Sequence, residues 1–209
     1  MAKYYVVWEG KKPGIYTNWA ECERQIKGVA GAKYMSFSDL ESAETAFKKN
    51  YEDYKGTKPA KVKKVYTAEE LARIGSPVRN SIAVDGASSS TDGATEYQGV
   101  QTHTKKRLFH NGPFPGTNNI AEFLAIVHAL AYCKKHNITV PIYSDSKNAI
   151  AWVKRKRIGT KFVQTSSNRE TFELLDRALL WLNQNTYQNK ILKWETAVWG
   201  ENPADFGRK

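Results

Sequence analysis

The stretch TVPIYSDSKNAIAWV, residues 139–153, decides how the chain is read. An apolar run ends at Tyr143, Ser144 and Asp145 follow at once, and a helical pattern then starts from Ser146. An ionised carboxylate therefore stands where a strand runs out. Asp and Ser ahead of a helix accept hydrogen bonds from its free amide groups, so a helix cap is one explanation. A functional site is the other, and it requires further carboxylates to arrive at the same place.

Working outward, SIAVDG (81–86) reads as a strand that ends on Asp85. TEYQGVQTHT (95–104) and KRLFHNG (106–112) read as the next two strands of a meander. NNIAEFLAIVHALAYCKKHN (118–137) is a helix with Ile120, Phe123, Leu124, Val127, Leu130 and Ala131 on one face and Glu122 in its first turn. TVPIYSD is the fourth strand, NRETFELLDRALLWLNQN (168–185) a second long helix and KILKWETA (190–197) a fifth strand. The last residues, ENPADFGRK, carry Glu201 and Asp205 four positions apart. Three sequential strands followed by strands alternating with helices predict an α/β fold, a mixed five-stranded sheet flanked by helices. If the strands of Asp85 and Asp145 are neighbours, both carboxylates lie outside the carboxyl edge of the sheet, where such sheets bind ligands.

Residues 1–50 form a smaller α/β unit. KYYVVWEG, GIYT and AKYMSF read as strands, NWAECERQIKG as a helix capped by Asn18, and SDLESAETAFKKN as a helix capped by Ser38 with Glu41 completing a capping box. A Lys-rich linker over 51–78 follows, containing one short helix in TAEELARIG with Thr67 and Glu70 at capping-box spacing. The larger domain spans 79–209.

The formal net charge of +11 favours a polyanionic partner, and the basic excess is present in each of these regions. No apolar run approaches the roughly 20 residues of a membrane span, and MAKYYVVWEG lacks the core of a signal peptide. The chain is expected in the cytoplasm, away from membranes. Cys22 and Cys133 have no metal-ligand spacing and are expected as reduced thiols. Four scattered histidines disfavour zinc or iron chemistry.

Beyond position 80 there are seventeen Lys and Arg and eleven acidic residues, and Asp85, Glu122, Asp145, Glu201 and Asp205 are five of those eleven. Singly, each reads as a turn residue, a first-turn helix acid, a cap or a surface charge. Gathered together they would repel one another unless cations neutralised them, and hard oxygen-seeking ions such as Mg²⁺ suit that role beside substrate phosphates.

The order Asp in AVDGAS, Glu in NNIAEFLAI, Asp in IYSDS and Asp in ENPADFGRK resembles the carboxylate set of type 1 ribonucleases H of the bacterial type. The first fifty residues resemble the hybrid-binding domain that precedes such catalytic domains. The resemblance implies an endonuclease that hydrolyses the RNA strand of RNA/DNA hybrids and leaves 3′-hydroxyl and 5′-phosphate ends. It implies two Mg²⁺ ions, with Mn²⁺ as a substitute, held by Asp85, Glu122, Asp145 and Asp205, with Glu201 assisting at the second metal. It places Thr117, Asn119, Thr160 and Lys161 toward a DNA phosphate and Asn118 and Ser88 toward the RNA sugar. Trp152 is read either as a deoxyribose platform or as a core residue. Tyr5, Trp19 and Tyr34 match the aromatic surface of the hybrid-binding domain, although Met35 and Ser36 stand where relatives often have lysines. A protrusion that grips the duplex in some relatives is missing, so binding is expected to lean on the N-terminal domain. The chain is expected to act as a monomer. A non-catalytic hybrid-binding protein and a different nuclease on the same fold are the competing readings.

Overall fold

The computed structural model describes residues 3–56, 65–89 and 93–207. Most of the lysines read as linker, residues 57–64, lie outside the described residues. The chain divides into a unit ending at Val65 and another beginning at Tyr66.

In the first unit β1 (Tyr4–Glu9), β2 (Gly14–Tyr16) and β3 (Lys33–Phe37) form an antiparallel sheet in the order β2-β1-β3. Side chains alternate across a strand, so Tyr4, Val6, Ile15, Met35 and Phe37 share one face and pack with Ala43 and Ala46 of α2 (Leu40–Phe47). Tyr5, Val7 and Tyr34 lie on the other face, on the side of α1 (Trp19–Ile26). Asn18 caps α1 as read, its side chain accepting from the Glu21 amide. The cap of α2 is Asp39 and not Ser38: the Asp39 carboxylate accepts from Ser42 N at 2.7 Å, while the Ser38 hydroxyl donates to Asp39. A charged acceptor makes the stronger bond and shifts the helix start by one residue. Trp8 donates to the carbonyls of Ala46 and Lys49 and packs against Tyr51 and Tyr54, so this unit runs past residue 50.

The second unit opens with α3 (Ala68–Ile74), whose Thr67–Glu70 capping box is present. Trp199 Nε1 donates to the Gly75 carbonyl and Val78 N to the Tyr143 hydroxyl. Residues 67–78, read as linker, therefore pack as part of this unit. The sheet is built from β4 (Ile82–Ser88), β5 (Ala94–Gln101), β6 (Arg107–Pro115), β7 (Ile142–Ser144) and β8 (Ile191–Lys193) in the order β6-β5-β4-β7-β8. Pairing is antiparallel among β4, β5 and β6 and parallel among β4, β7 and β8, which is the expected mixed sheet. The helices are α4 (Asn118–Lys135), α5 (Lys147–Arg155), α6 (Arg169–Gln184) and α7 (Thr196–Trp199).

Helix α4 is buried on more than its predicted stripe, because Ala121, Ala125, Ile126, Ala129 and Cys133 are also inaccessible. It lies against β4 and β5 and is flanked by α5 and α6, and its small residues permit close approach. Strand β8 stops short of the expected Ala197. Trp194 N donates to the Ser144 carbonyl, and Trp194 then packs edge-on with Tyr143 and Trp199, which turns the chain into α7. Strand β6 instead continues beyond Gly112, where a side chain would strike the backbone of Glu96 and φ is +126°. Among the described residues no helix is long and apolar enough to cross a membrane.

Candidate active site

Strands β4 and β7 are parallel neighbours with Ala83 opposite Tyr143. Two residues further along each chain stand Asp85 and Asp145, so the expected convergence at the carboxyl edge is present. Side-chain alternation puts Ile82 and Val84 in the core beneath the helices, while Ala83 packs with Val100 and Ala204 on the opposite face. Gly86 follows Asp85 where β4 meets the start of α4: a Cβ there would lie 2.5 Å from the Ala121 Cβ and 2.7 Å from the Glu122 nitrogen. Only glycine permits this contact, and the contact sets Glu122 beside the end of β4.

One oxygen from each of Asp85, Glu122 and Asp145 falls within 4.8 Å of the others. Ser146, not Asp145, caps α5, its hydroxyl oxygen accepting from Ala149 N. The cap explanation for Asp145 thus gives way. Asp145 Oδ1 is buried and has no hydrogen-bond partner, a costly state for a carboxylate oxygen unless a cation completes it. A cavity of 220 Å³ is lined by Asp85, Ser88, Asn118, Glu122, Asp145 and Asp205, with Gly86, Ala87 and Phe206 closing its wall.

Asp205 arrives on a segment with no regular structure, and two amides fasten that segment. Asn202 Nδ2 donates to the Val84 carbonyl at 2.9 Å, while Asn202 Oδ1 accepts from Ala204 N. Gln98 Nε2, on β5, donates to the Ala204 carbonyl at 2.7 Å. Both amides are buried, and Ala204 is sealed against Ala83 and Val100. Sequence reasoning missed Asn202, Gln98 and Gly86; the glycine interrupting a strand next to an acid was the available signal.

Burial, reinforced by the carboxylates of Asp145, Glu122 and Asp205, pushes Asp85 up to about 8. Burial and Asp145 push Glu122 up to about 7, against the hydroxyl of Ser146 and the charge of Lys193, which favour its ionised form. The cluster therefore holds protons near neutrality that a cation would displace. All its donors are oxygens at short mutual distance, which fits a hard divalent ion.

The remaining expected residues are distributed unevenly. Ser88 and Asn118 reach the cavity, whereas Thr117, Asn119, Thr160, Lys161 and Glu201 are not part of its wall. Thr117 is the N-cap residue of α4 but its side chain makes no cap hydrogen bond, and Asn118 and Asn119 occupy the exposed first two helical positions. Thr160 Oγ1 accepts from Phe162 N. Trp152 is 5% exposed and packs on Phe123, so of its two readings the core one describes its position. In the first unit Trp19 stands between Tyr5 and Tyr34, with ring centroids 5.5 and 5.9 Å away, and both Trp19 and Tyr34 are exposed. Met35 turns to the α2 side, leaving Ser36 exposed opposite Tyr5.

Comparison with known proteins bears on the family of the chain. Residues 3–47 match the family model described as Ribonuclease H1 N-terminal domain. Ribonuclease H of Crithidia fasciculata is 48% identical over 40 residues, 19% of this chain and 8% of that protein. Ribonuclease H of Saccharomyces cerevisiae is 40% identical over 42 residues, 20% of this chain and 12% of that protein. The matches thus span small fractions of both relatives. Among solved structures, RNase H1 of Halobacterium salinarum is similar at 19% identity and a TM-score of 0.35, covering 54% of this chain and 83% of that one. LC11-RNase H1 in complex with an RNA/DNA hybrid is similar at 18% identity and a TM-score of 0.32, covering 54% of this chain and 81% of that one. Residues 79–197, more than half of the chain, match the RNase H family model, and the chain belongs to the RNase H family.

Proposed function

We propose that the chain hydrolyses the RNA strand of RNA/DNA hybrids, leaving 3′-hydroxyl and 5′-phosphate ends, with Asp85, Glu122, Asp145 and Asp205 as ligands of two divalent cations, Mg²⁺ in the first place and Mn²⁺ as a substitute. The observation that carries this reading is the orphaned Asp145 oxygen in a cavity walled by three further carboxylates. When bound, such a pair of ions polarises the scissile phosphate and stabilises the attacking and leaving oxygens. The protein's own part is to hold the carboxylates at fixed separation on the β4 end, the α4 start, the β7 end and the segment clamped by Asn202. Asn118 and Ser88 are assigned to the RNA sugar, a reading supported by their position on the cavity wall. The first turn of α4, with Thr117 and Asn119, offers amide groups to a DNA phosphate. Glu201, exposed at the start of the Asp205 segment, assists product release as in bacterial-type members.

Residues 1–50 supply hybrid affinity through Tyr5, Trp19 and Tyr34, stacking being tolerant of sequence. The protein acts as a cytoplasmic monomer; free, buried Cys22 and Cys133 suit a reducing compartment. The test is cleavage of an end-labelled RNA strand presented in a hybrid, in an RNA duplex and, for comparison, of a DNA duplex. Cutting confined to the hybrid supports the reading. Equal cutting of all three, or none, refutes it.

A further inference from the structure

Asp145 and Asp205 reach the cavity on separate arms of the second unit, and one short segment is bonded to both arms. Tyr143 stands on β7 two residues before Asp145, and Trp199 closes α7 six residues before Asp205. Val78 N donates to the Tyr143 hydroxyl at 3.1 Å, and Trp199 Nε1 donates to the Gly75 carbonyl at 2.7 Å. Residues 67–78, which are α3 with its cap and the turn that follows, thus form a strap across the two arms.

The arms meet at three aromatic rings. Tyr143 packs edge-on with Trp194 and with Trp199, each centroid 5.7 Å away, and the two indoles are 5.1 Å apart. Trp194 N donates to the carbonyl of Ser144, the residue before Asp145, while Trp194 Nε1 donates to the Gly200 carbonyl at the foot of the segment that carries Asp205. From Gly200 the path is short. Asn202 is bonded to the Val84 carbonyl, and Asp205 N donates to the Asn202 carbonyl at 2.8 Å. Close-packed rings have few alternative arrangements, so a shift of Trp199 or Tyr143 is passed on to the arm that carries it.

Burial does not account for the strap. Helix α3 has seven residues, none of them buried, and none of residues 67–78 joins the apolar core of the sheet. A helix this short is marginal in water without packing. Its capping box holds the first turn, and Gly75 ends the helix at φ 63° and ψ −155°, a conformation that residues with a side chain rarely adopt. The same turn presents the Gly75 carbonyl to Trp199. We infer that residues 67–78 are a positioning strap for the metal centre, holding the Asp145 and Asp205 arms through Tyr143 and Trp199 at the separation a cation requires. This rests on the metal site of the proposed function.

The test uses the full chain and reads cation binding as well as cleavage. Gly75→Ala strains the strap where a Cβ would meet nothing closer than the Ala72 carbonyl at 4.0 Å, so it acts through the backbone alone. Gly28→Ala is the control, another positive-φ glycine, in the first unit, with open space around it. Trp199→Phe keeps a ring and removes the donor. Binding of Mn²⁺ alone is followed by the paramagnetic resonance of the free ion. Gly75→Ala and Trp199→Phe should each weaken it about fivefold, the effect of losing one hydrogen bond. The double variant should bind as Trp199→Phe does, since both changes remove the same contact. In cleavage, kcat lost at low Mg²⁺ should return at high Mg²⁺ with KM for the hybrid unchanged. Parental Mn²⁺ affinity in folded Gly75→Ala, additive losses in the double variant, or an equal loss in Gly28→Ala overturns the strap. If either variant fails to fold, Tyr143→Phe, which removes only the hydroxyl that accepts from Val78, decides: weakened Mn²⁺ binding supports the strap and parental binding overturns it. A parent that binds no Mn²⁺ refutes the metal centre of the proposed function, whereas a parent that binds and cuts beside unaltered variants refutes only the strap.

Discussion

The position a Cβ would take on Gly86 lies 2.7 Å from the backbone nitrogen of Glu122, which makes the spacing between β4 and α4 part of the carboxylate geometry. Gly86→Ala must push Glu122 away from Asp85. It should cost about 1–3 kcal/mol in stability, as overpacking does, and roughly 100-fold in kcat, since catalytic groups misplaced by an ångström lose about that much. Melting curves and kcat at saturating Mg²⁺ check both halves. A variant with parental kcat would show that the contact does not set the site.

The cation-free protein should lose stability as pH rises. Asp85 and Glu122 have folded pKa values of about 8 and 7, above the ordinary carboxylate range that the unfolded chain follows. The folded state therefore keeps protons the unfolded state has released, so stability complete below about pH 4 declines until the folded values are passed. Thermal denaturation in chelator between pH 5 and 8, as rough limits of that window, should show a falling midpoint, and Mg²⁺ should flatten it. Asp85→Asn should raise the midpoint in chelator at the upper end while abolishing cleavage. A midpoint that rises with pH in chelator contradicts the electrostatic account.

Asn202 bridges the Val84 carbonyl and the Ala204 amide and so holds Asp205 over the cavity. Asn202→Ala leaves both backbone groups buried without partners, at about 1–3 kcal/mol. Apparent Mg²⁺ affinity in the cleavage assay should fall with it, because Asp205 is no longer pinned. Parental Mg²⁺ dependence in a destabilised variant would separate the clamp from the site.

Much of this was legible in the sequence, and the remainder has identifiable causes. Periodicity located the strands of Asp85 and Asp145 and the buried stripe of α4, because one face of each element must leave water. The Thr67–Glu70 box was legible because its partners are three residues apart. Asn202 and Gln98 were not, since their partners stand 118 and 106 positions away. Trp152 left two readings open, as aromatic residues serve cores and platforms alike; it is 5% exposed and packs on Phe123.

Asn118 lines the cavity and Asn119 does not, although both begin α4. Asn118→Ala should therefore lose sensitivity to single 2′-deoxy substitutions in the RNA near the cut, at about 1–3 kcal/mol for the lost bond. Asn119→Ala should retain that sensitivity and weaken hybrid binding instead. Identical profiles for the two variants would assign both amides to helix stability alone.

The most direct test is Asp145→Asn, because its unpaired oxygen is where the account places a cation. An amide removes the anionic charge while keeping the shape. In saturating Mg²⁺, with an end-labelled RNA strand in a hybrid, the parent should cut the RNA only. The variant should fold and bind the hybrid in chelator as the parent does, yet leave the RNA whole. Cleavage by Asp145→Asn within a few-fold of the parent rate would contradict the assignment of this cluster as the metal centre.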